Sequence, residues 1–303
     1  MNVFFENINF NSNSGPNSFG RKLAKQFQKN GQNLCSYEKA DVVLSFIQSH
    51  RRHHKPNILR LDGIYFNLAQ NWEAMNKEIH ESYKRADGII AQSNFSKKLI
   101  EAYFGEHPNI EVIHNGAELE LINSVKPLNN RLVQKYDNIW SCAAAWRPHK
   151  RLNENVKYFL EHRGQNDCLI VAGSNHNVSI NHPDIYCIGN VDYETLLRIY
   201  KTSKWFLHLA WLDNCPNVVV DAKAAGCKIV CSSSGGTPEL VRKGDVVIQE
   251  EEWDFKPTML YEPPELDFSR KVTSEDIREC YSIQNVANKY ELFLEENLNV
   301  RKA

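Results

Sequence analysis

Two carboxylates eight positions apart, Asp213 and Asp221, dominate the most chemically informative stretch of this sequence, Leu207 to Val241. The pattern places Asp213 in a loop after an expected strand and Asp221 in the opening turns of a helix that starts near Asn217. A loop at a helix start offers free backbone N–H groups to phosphate, so Asn214, Cys215, Pro216, Asn217 and Val218 are candidates to hold an anion. An ionised carboxylate has two acceptor oxygens and can take both hydroxyls of a ribose diol, which suits Asp221. Gly226 and the Gly235-Gly236 pair supply turns where a side chain would collide with helix, strand or ligand. The plainer reading of the two aspartates is a loop residue and a helix-start residue favoured by the dipole.

A second group follows another expected strand: Ala143-Ala144-Ala145-Trp146-Arg147-Pro148-His149-Lys150-Arg151-Leu152. Arg147 brings a planar fork and Lys150 a mobile point charge, a pair suited to a diphosphate whose charge grows as it leaves. Arg151 is an alternative to Arg147, and a solvated basic turn is the plainer reading. Val171-Ala172-Gly173-Ser174 and Ile188-Gly189-Asn190-Val191 end two further strands. Near the amino terminus, Asn13 to Gly20 forms a loop containing Gly15 and Pro16. Asp62 follows the apolar run Ile58 to Leu61, where a carboxylate could bind a hydroxyl or act as a base, and Asp62-Gly63 also makes a good turn. His50, His53 and His54 are candidates for the same work, and exposure is expected for each.

The elements that must position these groups alternate. Strands are expected at Asn2 to Asn9, Asp41 to Phe46, Ile58 to Leu61, Gly88 to Ala91 and Ile110 to His114. Helices are expected at Phe19 to Asn30, Leu68 to Arg85 and Asn94 to Tyr103, the last capped by Ser93 or Asn94. The stretch Asn123 to Asp137 is polar and reads as a linker. The rhythm restarts with strands at Ile139 to Ala145, Cys168 to Ala172, Ile185 to Ile188, Trp205 to Leu209 and Lys228 to Cys231. Helices lie between them near Asn153 to His162, Tyr193 to Tyr200 and Val218 to Ala225. Two βα arrays imply an α/β protein of two Rossmann-like, doubly wound domains with a cleft at the carboxyl ends of their strands. Ser274 to Leu298 reads as one amphipathic segment with Tyr281, Val286, Tyr290, Phe293 and Leu294 on its buried face.

Composition bounds the function. The 303 residues are 42% hydrophobic and 24% charged, an ordinary globular balance. Lys plus Arg is 36 and Asp plus Glu is 37, so no field of one sign would hold the chain on nucleic acid. The eight cysteines are dispersed and the start of the chain has no leader pattern, so reduced thiols in a cytoplasmic protein are expected. The sequons at Asn94 and Asn177 are then chance matches. Neither Asp-x-Asp nor a zinc spacing occurs, and no metal site is expected. No Gly-x-Gly occurs either, which argues against a nicotinamide-dependent dehydrogenase. His50-Arg51-Arg52-His53-His54-Lys55 reads as a solvated loop or, more sharply, as peripheral contact with an anionic acceptor or acidic lipid headgroups.

The carboxylate-x7-carboxylate pattern and the basic loop together resemble the retaining glycosyltransferases of family 4, which have the glycosyltransferase-B (GT-B) fold, with aspartates in place of the family's usual glutamates. The resemblance implies that Asp213 lies beside the donor sugar, Asp221 holds the nucleotide ribose, and Arg147 and Lys150 stabilise the leaving diphosphate. It also implies that Gly15 and Pro16 approach the donor phosphates, that the strand end at Ser174 meets the base, and that Asp62 stands at or next to the place of a family histidine. A domain of residues 1–134 with 275–303, including a helix that crosses back, would face a donor domain of residues 135–274. The implied reaction is metal-independent transfer from a UDP- or GDP-sugar to a glycan, lipid-linked saccharide or other hydroxyl acceptor, with retention. The alternatives are a decayed transferase that only binds nucleotide or glycan, and a sugar-nucleotide epimerase of the same fold.

Overall fold

A computed structural model describes residues 1–12, 14–174, 180–276 and 281–302. The sequon at Asn177, Asn13 of the amino-terminal loop and Cys280 lie outside them. The chain divides into two compact units, residues 1–116 with 255–258 and 281–303, and residues 117–254 with 259–280.

The first unit runs β1 (Asn2–Glu6), α1 (Gly15–Lys29), β2 (Asn33–Leu34), β3 (Val42–Phe46), β4 (Asn57–Leu61), α2 (Trp72–Arg85), β5 (Gly88–Ala91), α3 (Asn94–Phe104) and β6 (Ile110–Val112). Its six-stranded sheet has the order β2-β1-β3-β4-β5-β6, and every pairing is parallel. Strands β3, β4 and β5 are buried along their whole length, which is why they read as continuous runs rather than alternating ones. Phe19, Leu23 and Phe27, one helical turn apart, turn α1 onto the sheet core. The amino-terminal loop is shorter than expected, since α1 starts at Gly15 with Pro16 in its first turn, a position where the missing N–H costs nothing. Ser93 caps α3 by accepting from Ser96 N at 2.9 Å, and the Asn94 sequon falls within that helix with Ser96 buried.

The second unit opens with α4 (Leu119–Ser124) and α5 (Arg131–Gln134). It continues through β7 (Asn138–Ala143), α6 (Leu152–His162), β8 (Asp167–Ala172), β9 (Ile185–Gly189), α7 (Tyr193–Thr202), β10 (Trp205–His208), α8 (Asn217–Ala224), β11 (Lys228–Ser232), β12 (Val246–Ile248) and β13 (Lys271–Thr273). Its seven-stranded sheet has the order β13-β12-β11-β10-β7-β8-β9, with only β13 antiparallel to its neighbour. Residues 117–134, expected to close the first domain, pack on this unit. Leu128 and Val133 join Tyr136, Ile139 and Ile199 in its core, and Lys201 Nζ donates to Ile122 O at 2.9 Å.

The last helix, α9 (Ile283–Lys302), belongs to the first unit, where Val286, Ala287, Tyr290 and Leu294 pack against Val3, Phe19 and Leu23. It starts at Ile283 rather than at Ser274, and the residues just before Ser274, 271–273, pair as a strand with β12. Among the described residues, no helix is long and apolar enough to cross a membrane.

The carboxyl ends of β1 and β3 are tied by a buried polar cluster. Glu6 Oε2 accepts from Ser45 Oγ at 2.8 Å and His53 Nε2 at 2.9 Å, and Ser49 Oγ lies 2.9 Å from the same ring nitrogen. His53 is therefore buried, contrary to the expected exposure. Nor is the basic run simply solvated, because Lys55 Nζ donates to the carbonyls of Tyr37, Glu38 and Ala40. Burial opposes the Glu6 charge, but bonds from His53, Ser45 and Ser49 outweigh it and hold its carboxyl down at about 2. A lowered folded-state pKa stabilises above the unfolded value of about 4.3, and that contribution fades as pH falls toward 2. Glu6→Gln should therefore lose about 3 kcal/mol of stability at neutral pH and much less near pH 3, read by denaturant unfolding at both pH values. An equal loss at both would contradict this role for the carboxylate.

Candidate functional site

Strands β7 and β10 are parallel neighbours, so the loops that leave their carboxyl ends start side by side. The first loop brings Lys150 and the second Asp213, and Lys150 Nζ lies 2.5 Å from Asp213 Oδ2. His208, the last residue of β10, places Nε2 2.9 Å from the same oxygen. A carboxylate only accepts, so the ring carries its proton on Nε2. Burial opposes the Asp213 charge, yet Lys150 and His208 hold its carboxyl far below the usual carboxylate range. Burial also lowers the His208 pKa despite Asp213, so the ring is neutral at pH 7. Both partners sit on Oδ2, and the side chains of Lys150 and Asp213 keep 20% and 15% of their exposure, so the pair is open to a ligand from solvent.

Backbone geometry fixes this arrangement. Leu212 has a positive φ of 56° and donates its N–H to Ser234 Oγ at 3.1 Å. Left-handed backbone at a side-chain-bearing residue is strained and persists only where its surroundings impose it. Gly236 N donates to Asp213 O at 2.7 Å, and a Cβ on Gly235 (φ +80°) would sit 2.4 Å from that oxygen. The strand-end turn at Gly173 is as tight, with a Cβ position 1.8 Å from Ala144 O. Trp211 N donates to His149 O at 2.7 Å and joins the two loops. The His149 ring stacks on Tyr261 with centroids 5.7 Å apart; burial, with Lys150 beside it, pulls its pKa down to about 3.

The other expected residues are distributed as follows. Asp221 is 3% exposed on α8 and accepts from Tyr193 Oη at 3.1 Å. Burial and the Asp221 charge push the Tyr193 hydroxyl far above its ordinary range. Helix α8 starts at Asn217 with Pro216 as its N-cap and no side-chain cap bond. Cys215 and Pro216 are buried, while Asn214, Asn217 and Val218 are half-buried. Ser174, half-buried at the end of β8, accepts from Trp146 N through its carbonyl at 2.9 Å. Arg147 is exposed. Arg151 cannot replace it, because its guanidinium is buried and bound to both carboxylate oxygens of Glu250 at 3.0 and 2.6 Å.

In the first unit, Asp62 Oδ1 accepts from Arg60 Nη1 and from Gln92 Nε2, the latter at 3.4 Å. Arg60 is fully buried, donates Nη2 to Asn115 Oδ1 at 2.8 Å, and stacks over Phe19 at 4.2 Å. Burial pulls the Arg60 pKa down and the Asp62 charge more than restores it, so Asp62 is the counter-ion of a buried guanidinium. Gly15 and Pro16 form the first turn of α1. Sequence reasoning passed over His208, whose signal is a histidine ending the strand that leads to Asp213. Among the described residues, no group of three His, Cys, Asp or Glu is placed to hold a metal ion.

Residues 142–255, which include both loops and α8, match a protein-family model. The family is glycosyl transferases group 1. Over 238 residues, 73% of this chain, the sequence is 24% identical to an uncharacterized glycosyltransferase of Methanocaldococcus jannaschii, and the match spans 57% of that protein's length. Among solved structures, sucrose-phosphate synthase from Thermosynechococcus elongatus superposes with a TM-score of 0.72 at 11% identity, covering 99% of this chain and 100% of that one. Anabaena HepE in complex with UDP and glucose gives 0.68 at 10% identity, covering 98% and 100%. A glycosyltransferase involved in avilamycin A biosynthesis gives 0.63 at 14% identity, covering 99% and 98%. The fold is GT-B, two Rossmann-like domains, and the matches together support a glycosyltransferase.

Within the region that matches the family model, Gly235→Ala should cost about 1–3 kcal/mol from left-handed strain, with more from displacing the Asp213 backbone. Denaturant unfolding checks this, and a variant as stable as the parent would show that the loop yields freely.

Proposed function

We propose that this protein is a retaining, metal-independent glycosyltransferase that moves a sugar from a nucleoside diphosphate sugar to a hydroxyl of a glycan, lipid-linked saccharide or other acceptor. The observation that carries the proposal is the Lys150–Asp213 pair at the ends of adjacent strands. An ionised carboxylate with one open oxygen can accept from a donor-sugar hydroxyl, while the ammonium beside it meets negative charge on the departing diphosphate. Charge met as it develops lowers the barrier, because the interaction is stronger in the transition state than in the ground state.

The remaining roles follow the chain's own chemistry. The N–H groups at the start of α8, with no side-chain cap bond there, are suited to phosphate oxygens. Asp221 accepts from the ribose hydroxyls by exchanging its bond from Tyr193. Backbone groups at Gly173, Ser174 and Gly189 read the base. Arg147, exposed in the same loop as Lys150, adds a second cation toward the diphosphate. Asp62, with Gly15 and Pro16, is assigned to the first unit's share of acceptor and phosphate contacts. Retention rests on the resemblance of the carboxylate spacing to family 4. UDP-sugars are the first donors to test, because HepE has been solved with UDP-glucose, and GDP-sugars are the second. The intact ion pair weighs against a decayed, binding-only protein.

Asp221→Ala removes a charge-assisted acceptor worth about 1.5–3 kcal/mol, so donor affinity measured by calorimetry should fall roughly ten- to a hundredfold. Unchanged affinity would take Asp221 out of the site. Lys150→Ala should lower turnover at saturating donor by roughly two to three orders of magnitude. A change confined to apparent donor affinity would show that the lysine binds the ground state only.

A further inference from the structure

Two groups meet on one carboxylate oxygen at the end of β10, and one of them has no place in the roles assigned above. Asp213 Oδ2 is held by Lys150 Nζ at 2.5 Å and His208 Nε2 at 2.9 Å. The carboxylate therefore depends on Lys150 for its counter-charge, yet the proposed reaction sends that same charge to a diphosphate. Once the ammonium turns away, a half-buried anion is left with only a neutral ring, and a partly desolvated charge without a counter-ion is unfavourable.

We propose that His208 is a positioning residue that takes over from Lys150: when a diphosphate draws the ammonium away, the ring gains a proton from solvent and keeps Asp213 ionised and in place. The inference rests on the transferase reading of the site. The proton enters at Nδ1, since Nε2 already carries the hydrogen that bonds Asp213, and the resulting imidazolium replaces the lost ammonium as counter-ion. The groups facing the ring favour this sequence. Asp213 lies in the loop after β10, Lys150 and His149 lie in the turn after β7, and Phe206 stacks parallel at 6.5 Å. Burial and Lys150 oppose protonation and Asp213 promotes it, so removing the lysine charge shifts the balance toward the imidazolium. The arrangement also steadies a short carboxylate, because both partners grip Oδ2 and leave Oδ1 aimed for a donor hydroxyl.

The test begins without nucleotide. Histidine-edited ¹⁵N NMR at neutral pH should show the His208 ring neutral in the parent protein and in Lys150→Arg, and doubly protonated in Lys150→Gln. A ring that stays neutral in Lys150→Gln overturns the inference and leaves the transferase reading untouched. Addition of UDP, GDP or ADP to the parent should then move the same resonance in the same direction. Calorimetry in buffers of different ionisation enthalpy should read proton uptake of up to about one per nucleotide bound. Binding with no uptake also overturns the inference alone, whereas failure of all three nucleotides to bind overturns the reading of function, and the coupling with it. In the transfer assay, His208→Leu should lower kcat about tenfold or more with a smaller change in KM, and His208→Gln, which keeps a donor near Nε2 but cannot take up a proton, should lower it nearly as much. Parent-like kcat in His208→Gln would show that the hydrogen bond suffices without the proton and would overturn the inference.

Discussion

A half-buried carboxylate that must stay charged is the constraint on which the second unit is organised. Asp213 is partly withdrawn from water, which opposes its charge, and an ammonium and an imidazole N–H on one oxygen outweigh that opposition. Those partners are available because β7 and β10 are neighbours, so that chain segments 63 residues apart meet at one sheet end. Parallel sheets collect the carboxyl ends of their strands on one side, which is where α/β proteins place ligands. The strained φ of Leu212 and the close approach of Gly235 to the Asp213 carbonyl show the backbone yielding to that requirement.

The other buried ion pairs differ from this one in what they leave open. Arg151 and Glu250 pair through both carboxylate oxygens. Lys223 donates to both oxygens of Asp245, which also accepts from Ile229 N and Arg242 N. Arg60 and Asp62 lie in a network with Gln92 and Asn115. Such pairs fix loops and strands to one another and cost heavily if half is removed. In the Lys150–Asp213 pair both the cation and the carboxylate keep partial exposure, whereas the Arg60 and Arg151 guanidinium groups are fully buried.

Much of the architecture was legible because buried parallel strands are written as near-continuous apolar runs, and Val42–Phe46, Gly88–Ala91 and Asp167–Ala172 show it with Ser45 and Asp167 as their polar exceptions. Strands β2, β12 and β13 were not legible, being two or three residues long and held by their place near a sheet edge rather than by their own pattern. The helical spacing that ends at Leu294 ran back through Tyr281, which instead stacks on His114 before the helix begins. At the site, Asp213 and Lys150 were readable from residue type and position after expected strands. The fate of Arg151 was not, because its partner Glu250 lies 99 residues along the chain. His53 and Arg60 likewise look exposed or incidental until the sheet brings Glu6 and Asp62 to them.

The most direct test is a crystal structure of the protein soaked in turn with UDP, GDP and ADP, with metal chelated. Sugar transfer through this site predicts that one of them is bound with a diphosphate oxygen within hydrogen-bond distance of Lys150 Nζ and its ribose on Asp221. A nucleotide bound away from both residues, or binding only when metal is restored, would contradict it.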